Sequence, residues 1–235
     1  MTTGLRKGLA LAILWAEVPA SHRADVESWA ASEPLAPTDP AVGVLAVGRY
    51  TGISGAPAFI EVHELVSDDA MVVAASGTLM ATTLRALERF GATVLPGGAT
   101  GEAGGSRAGS VGPAGVYGQI FPPGIDERAA VHGLPPALQI GRIDIPPAHE
   151  DEFNEWYNTE HIPMLAAVPG VLCARRFRAT SANRRYVALY HLTSPDVQAT
   201  PAWKSAANTP WTDKMRPHFR DHLRLVCARY ERRGR

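Results

Sequence analysis

Cysteine is scarce in this sequence: Cys173 and Cys227 are the only two in 235 residues. Two thiols cannot build a disulfide framework, and without a CxxC pair no thiolate metal knot can hold the fold. Apolar burial must do so instead, and a reducing, cytoplasmic setting is the expectation. An excess of either charge is also missing, since 23 basic residues balance 23 acidic ones. Such a balance gives no broad basic surface for nucleic acid or an anionic membrane, so neither is an expected partner. The one basic run, four Arg within 229–235, reads as a solvated tail. No apolar run reaches the roughly 20 residues that span a bilayer. Residues 6–16 have the charged-then-apolar order of a signal peptide. However, the same stretch aligns with Pro135–Ile143, an internal segment, and so reads as a strand of the mature fold. A GxxxxGK[ST] loop, a GxGxxG turn between strand and helix, and a GxSxG elbow are all lacking, which removes common nucleotide and hydrolase sites. The segment 96–115 has eight glycines but opens no strong helix, and reads as a flexible loop.

What the sequence does contain is a repeat. An offset of 127 carries Trp29 to Trp156, Glu33 to Glu160, Gly43-Val44-Leu45 to Gly170-Val171-Leu172, and Arg49 to Arg176. It also carries Pro19, His22, Phe59-Ile60 and Asp69 onto Pro146, His149, Tyr186-Val187 and Asp196, with no gap across 8–71 and 135–198. In each copy an apolar run ended by proline, Leu11–Glu17 or Leu138–Asp144, reads as a strand. Helical spacing comes next, over 21–36 and 148–166. In the second copy Phe153, Trp156, Tyr157, Glu160 and Met164 fall on one face of an ideal α-helix, which Pro169-Gly170 stops. Strands are predicted at 171–178 and 185–192, joined by the turn-rich 180–183. A helix over about 201–222 and a strand over about 223–231 complete this copy. A helix over about 76–90 and a strand at Val116–Phe121 complete the first. The order β-α-β-β-α-β is ferredoxin-like. The expected class is therefore α+β: a first unit over 1–121, a linker over 122–136 and a second unit over 137–235. Two such units in one chain can bury their open sheet faces against each other.

The segment Glu152-Phe-Asn-Glu-Trp-Tyr-Asn-Thr-Glu-His-Ile-Pro-Met-Leu165, with Val168-Pro-Gly170 and Arg175-Arg-Phe177 after it, resembles the dimeric α/β-barrel superfamily. The closest flavour is its EthD-like and NIPSNAP-like branch, where a W-Y-x-x-E-H-x-P helix precedes a V-P-G turn. Tyr186-Val-Ala-Leu-Tyr190, Thr209-Pro-Trp-Thr212 and Met215-Arg-Pro-His218 fit the same look. The resemblance is strong over 137–230; over 8–121 only the repeat carries it. It implies two ferredoxin-like units paired into an intrachain barrel, each with a pocket between helices and sheet. It also implies a range of activities: cofactor-free isomerases, polyketide cyclases and monooxygenases, with haem proteins in other branches. Fold alone does not choose among these.

The copies differ where chemistry could reside. Glu160, on an otherwise apolar face, is a candidate acid or base, because burial raises a carboxyl pKa. Glu33, with Arg49 and Arg176 equally matched, supports the other reading, a structural Glu–Arg pair in both halves. His161 replaces Pro34 and titrates near neutrality when unperturbed; otherwise it is a helix-end imidazole bound to a carbonyl. Tyr157, where the first copy has Ala30, is placed to donate to a substrate carbonyl. Asn158, matched by Ala31, is expected to point away toward solvent or a loop. Arg176 and Arg178 share a strand face by alternation, and Tyr190 replaces His63. Trp156, Phe153, Met164, Arg178, Tyr190 and His218 are the expected substrate-binding wall, with His191 and His222 as further polar candidates. His218 and His222 have i, i+4 spacing on the predicted helix, but no acidic or Cys partner is nearby, so no metal is expected.

The leading expectation is a cofactor-independent enzyme for isomerase, cyclase or lyase proton transfer on a small, mostly apolar carbonyl or phenolic compound. His161 would act as acid or base, Glu160 would orient it, and Tyr157 and Arg176 would polarise an oxygen. A non-catalytic binding or assembly protein stays open. So does a haem-dependent enzyme or monooxygenase with His161 or His218 as axial ligand. The chain is expected as a monomer with an internal pseudo-dimer, or as a homodimer. If the second copy alone works, its cavity should be open and the first copy's filled.

Overall fold

The structure, a computed structural model, describes residues 8–33, 35, 40–54, 57–95, 115–123, 134–179 and 186–230. Pro34, the turn at 180–183, nearly all of the Gly-rich loop, most of the linker and most of the Arg tail lie outside these residues. The first unit runs β1 (Ala10–Glu17), α1 (Arg23–Ser32), β2 (Val44–Ser54), β3 (Phe59–Leu65), α2 (Ala70–Glu88), β4 (Thr93–Leu95) and β5 (Gly115–Phe121). The second runs β6 (Ala137–Asp144), α3 (Glu150–Trp156), α4 (Ile162–Ala166), β7 (Val171–Ala179), β8 (Tyr186–Leu192), α5 (Pro201–Ala207), α6 (Pro210–Met215) and β9 (Arg220–Arg229). Within the units the strand orders are β5-β1-β3-β2 and β9-β6-β8-β7. Both are the ferredoxin-like arrangement.

Each unit's last strand then pairs antiparallel with the other unit's second strand, β9 with β2 and β5 with β7. The ring closes, and the short β4 lies beside the end of β1. The chain thus makes an intrachain α/β-barrel from two tandem units. The offset of 127 also holds in the backbone. β1 and β6 correspond end to end, as do β3 and β8. A β-bulge interrupts the pairing at Val44/Ala46 and again at Val171/Cys173. Gly43 and Gly170 both have positive φ, +86° and +91°.

Strand alternation divides the core into three layers. Leu11, Ile13 and Trp15 face the lumen with Ile60, Val62, Leu138, Ile140 and Leu189. Ala10, Ala12, Leu14 and Ala16 lie under the first unit's helices, where small residues allow close approach. Aromatic side chains fill the matching layer of the second unit. A charged contact crosses the lumen: Arg175 donates to both carboxylate oxygens of Glu64, and also to Gln119 Oε1 at 3.3 Å. Burying these two charges is tolerable because each satisfies the other. α2 is long and apolar enough to cross a membrane by length and composition; here it lies on the barrel with Val73, Met80 and Leu87 buried.

The helix expected over 201–222 is instead two short helices, a 3-10 turn at Arg216–His218 and the start of β9. Pro210 lacks the N–H that would continue α5, Thr209 caps α6 through Thr212 N, and Pro217 ends the run. His218 and His222 therefore do not share a helix. The helix over 148–166 forms, but a π turn at Tyr157–His161 separates α3 from α4.

Candidate functional site in the second unit

The π turn decides which side chains face the sheet. A π turn inserts one extra residue and rotates the residues after it by roughly 100° against an α-helical projection. Phe153, Trp156 and Tyr157 precede the shift and are buried as expected. Beyond it, Ile162 and Leu165 turn inward, while Met164 is 40% exposed and does not line the site. Glu160 likewise turns away and accepts from the Thr209 hydroxyl at the N-terminus of α6. No Glu160–Arg176 pair forms. Nor does a Glu33–Arg49 side-chain pair, since Arg49 bonds Glu61 at 2.9 Å and touches only the backbone carbonyl of Glu33.

His161 is brought inward by the same shift. Its ring lies 4.5 Å from that of Trp156 and 5.0 Å, edge-on, from that of Tyr157. These three form one wall of a cavity of about 340 Å³. The floor comes from alternate residues of β6, β8 and β9: Gln139, Gly141, Tyr190, His222 and Arg224. Trp203 of α5 and Thr212 of α6 close the top, and Arg216 and Phe219 border it. Gly141 contributes no side chain, which leaves the floor open.

Trp156 Nε1, His161 Nδ1 and Gln139 Oε1, all buried on this lining, have no hydrogen-bond partner among the described residues, and the Tyr190 hydroxyl has only that of Tyr157 near it. Buried polar groups are nearly always paired, so three orphans around one cavity are informative. The electrostatics are one-sided as well. Arg216 and Arg224 line the cavity and the lining contains no carboxylate; Arg216 pairs with Asp213 beside it at 2.6 Å, whereas Arg224 has no ion pair among the described residues. Burial, and then the charges of Arg176, Arg224 and Arg216, lower the His161 pKa to about 3, so the imidazole is neutral at pH 7. His222 is shifted down by burial, Arg224 and Arg216. Burial raises Tyr157 to about 12 and Tyr190 well above its ordinary value, so both remain hydroxyl donors.

Arg176 lies behind this wall and does not line it. Its guanidinium sits 4.3 Å from the Tyr157 ring centre and donates to Asn158 Oδ1 at 2.6 Å and Asn154 Oδ1 at 3.0 Å. Asn158 therefore points at Arg176 and not into solvent. Phe153 is fully buried core beside Tyr157 and Tyr186. Arg178 is half exposed and pairs with Glu150 at 3.4 Å. His218 stacks on His149, ring centres 3.6 Å apart, outside the cavity lining. His191 is buried at the Arg175–Glu64 contact. Gln139, Trp203, Arg216 and Arg224 were not among the expected site residues. Once β9 is known to begin at Arg220, alternation of His222 and Arg224 with Leu223 and Leu225 would have indicated two of the lining groups.

The first unit's cavity is not filled. It also measures about 340 Å³, between Trp29 of α1, Thr83 of α2 and Arg49, Glu61 and His63 of the sheet. Its polar floor is internally satisfied. Ser76 Oγ lies 2.9 Å from His63 Nδ1, and His63 Nε2 lies 3.0 Å from Glu61 Oε1. Glu61 Oε2 accepts from Arg49 and, at 2.6 Å, from Thr83. Burial would raise the Glu61 pKa, but His63, Arg49 and Thr83 hold it below the usual carboxylate value. The asymmetry between the copies is thus one of hydrogen-bond satisfaction, not of volume.

No protein-family model and no curated protein sequence matches the chain. Solved structures do. A protein assigned as a monooxygenase from Fusobacterium nucleatum superposes with a TM-score of 0.57 at 10% identity, covering 97% of this chain and 96% of that one. An anthrone oxidase-like protein gives 0.55 at 10% identity, covering 97% and 93%. A protein assigned as a chlorite dismutase gives 0.54 at 10% identity, covering 94% of each. At such identity the likeness establishes the paired ferredoxin-like barrel as this chain's fold.

Proposed function

We propose that the second unit's cavity binds a small carbonyl or phenolic compound and moves a proton on it without a cofactor, as an isomerase, cyclase or lyase does. The observation that carries this reading is the convergence on one cavity of unpaired polar atoms with the guanidinium of Arg224, which has no ion pair among the described residues. A substrate carbonyl would accept from Trp156 Nε1, and a hydroxyl would donate to Gln139. The neutral His161 imidazole would take an acidic C–H or O–H proton. The resulting enolate or phenolate would lie in the field of Arg216 and Arg224, with Tyr157 and Tyr190 as donors. The developing anion itself makes the imidazole more basic, which offsets the low pKa of the free site. His161 would return the proton to a different atom, completing the transfer.

Size supports a one- or two-ring ligand. About 340 Å³ sits at the lower end of the roughly 300–1,000 Å³ of small-molecule sites, small for a tetrapyrrole with its side chains. The one cavity histidine on a helix, His161, has its ring packed on Trp156 and Tyr157. These residues do not fit an axial haem ligand.

Hydrogen–deuterium exchange tests the reading without a known substrate. One- and two-ring ketones such as 2-tetralone are incubated with the protein in D2O, and loss of the α-C–H signals is followed by NMR. The wild type should exceed buffer. His161→Ala should lose about 100-fold or more of the acceleration, the usual scale for a general base, with the melting temperature shifted by only a few degrees. If every ketone exchanges no faster than in buffer, the proton-transfer assignment fails. Ligand binding without exchange would then leave a binding protein.

A further inference from the structure

The first unit's cavity has a use of its own. Its buried floor already satisfies Glu61, His63 and Ser76, and Ser76 does not border the space, so the Ser–His–Glu order presents no reachable nucleophile. The floor instead fixes Arg49. That side chain is 5% exposed, lies 4.5 Å from the centre of the Trp29 ring, and is held by Glu61 and Thr83. Only three of its five N–H groups have acceptors among the described residues. At the mouth stand Arg85 and Arg89, one helical turn apart and both exposed. Neither forms an ion pair among the described residues, and like charges at this spacing repel. A helix C-terminus favours cations, but it does not account for the cavity they border or for the guanidinium beneath them. Three guanidinium groups outweigh the two carboxylates of the wall, Glu33 and Glu61, the latter already committed. Trp29, Val47, Leu79 and Ala86 supply apolar surface beside this charge.

We infer that this cavity is a second ligand site, for a small planar carboxylate such as an aromatic acid. The guanidinium groups hold the carboxylate by charge-assisted hydrogen bonds, and the ring lies against Trp29 and Leu79. The site binds; His63 and Glu61 are bonded to each other, and no nucleophile is presented. It is independent of the proton transfer proposed for the second unit.

Calorimetric titration with 2-naphthoate, and with 2-naphthamide as its neutral isostere, tests this. The variants are Arg85→Gln/Arg89→Gln, both exposed, with folding checked by circular dichroism, and Arg224→Gln, which alters only the other cavity. Naphthoate should bind the wild type and the Arg224→Gln protein. In the double variant that binding should weaken by at least 10-fold, and the amide should bind the wild type at least 10-fold more weakly than naphthoate. Three results would overturn the inference: no naphthoate binding by the wild type, binding unchanged in the double variant, or equal binding of acid and amide.

Discussion

Arg49 and Arg176 occupy matched positions on matched strands, but Arg49 has Glu61 where Arg176 has Ala188, and the α1 positions matching Asn154, Tyr157 and Asn158 hold Glu27, Ala30 and Ala31. With a carboxylate beside it, Arg49 is neutralised. Without one, Arg176 rests on Tyr157 and two asparagine amides, and burial lowers its pKa to about 10. Burial first, and then this charge with those of Arg224 and Arg216, lowers the His161 pKa and makes stability depend on pH. In the folded protein the imidazole stays neutral down to about pH 3, whereas in the unfolded chain it protonates near 6.5. Between these values the unfolded state binds more protons, so stability falls as pH drops. Urea unfolding at pH 7 and pH 4.5 should show a smaller loss for His161→Asn than for the wild type. For the same reason, kcat/KM should show no acid limb from this residue between pH 5 and 8. A limb near 6.5 that disappears in His161→Asn would contradict the buried, cation-flanked imidazole.

At the scale of elements, the two halves keep the same devices. Gly43 and Gly170 precede β2 and β7 with positive φ, and a Cβ on either would come within 2.7 Å of a valine side chain, Val72 or Val197. Alanine at each should therefore cost about 1–3 kcal/mol, by similar amounts in urea unfolding; a cost at only one would mean the repeats are not equivalent there. Most of this layer was legible in the sequence, because alternation, proline stops and the gapless offset all report local backbone. The strands expected at 11–17, 116–121, 138–144, 171–178 and 185–192 came within one residue of their places. The π turn was not legible: nothing in Tyr-Asn-Thr-Glu-His distinguishes it from an α-turn, and one inserted residue exchanged Glu160 and Met164 for His161 and Leu165 on the inner face. The two-helix break near Thr209 was signalled by Pro210 and Pro217, but helical spacing across them outweighed that signal. As a result β9 was begun three residues late and His222 was placed on a helix.

At the scale of the whole molecule, each unit lends its last strand to the other and the Arg175–Glu64 contact bridges them. Neither unit completes its sheet alone, so urea unfolding followed by far- and near-UV circular dichroism should give one coincident transition. Glu64→Ala would leave a buried guanidinium without its carboxylate, at a cost of about 3–5 kcal/mol, and should move that single transition as a whole. Two separated transitions in the wild type would show that the units unfold independently.

Joining the two units in one polypeptide has a further consequence. A barrel assembled from two identical chains carries every substitution twice, so its cavities cannot differ. Here a single codon changes one cavity and leaves the other untouched. Glu61 can face Ala188 across the symmetry, and His63 can face Tyr190. One barrel can thus hold a carboxylate-paired arginine in one half and unpaired polar groups around a neutral histidine in the other.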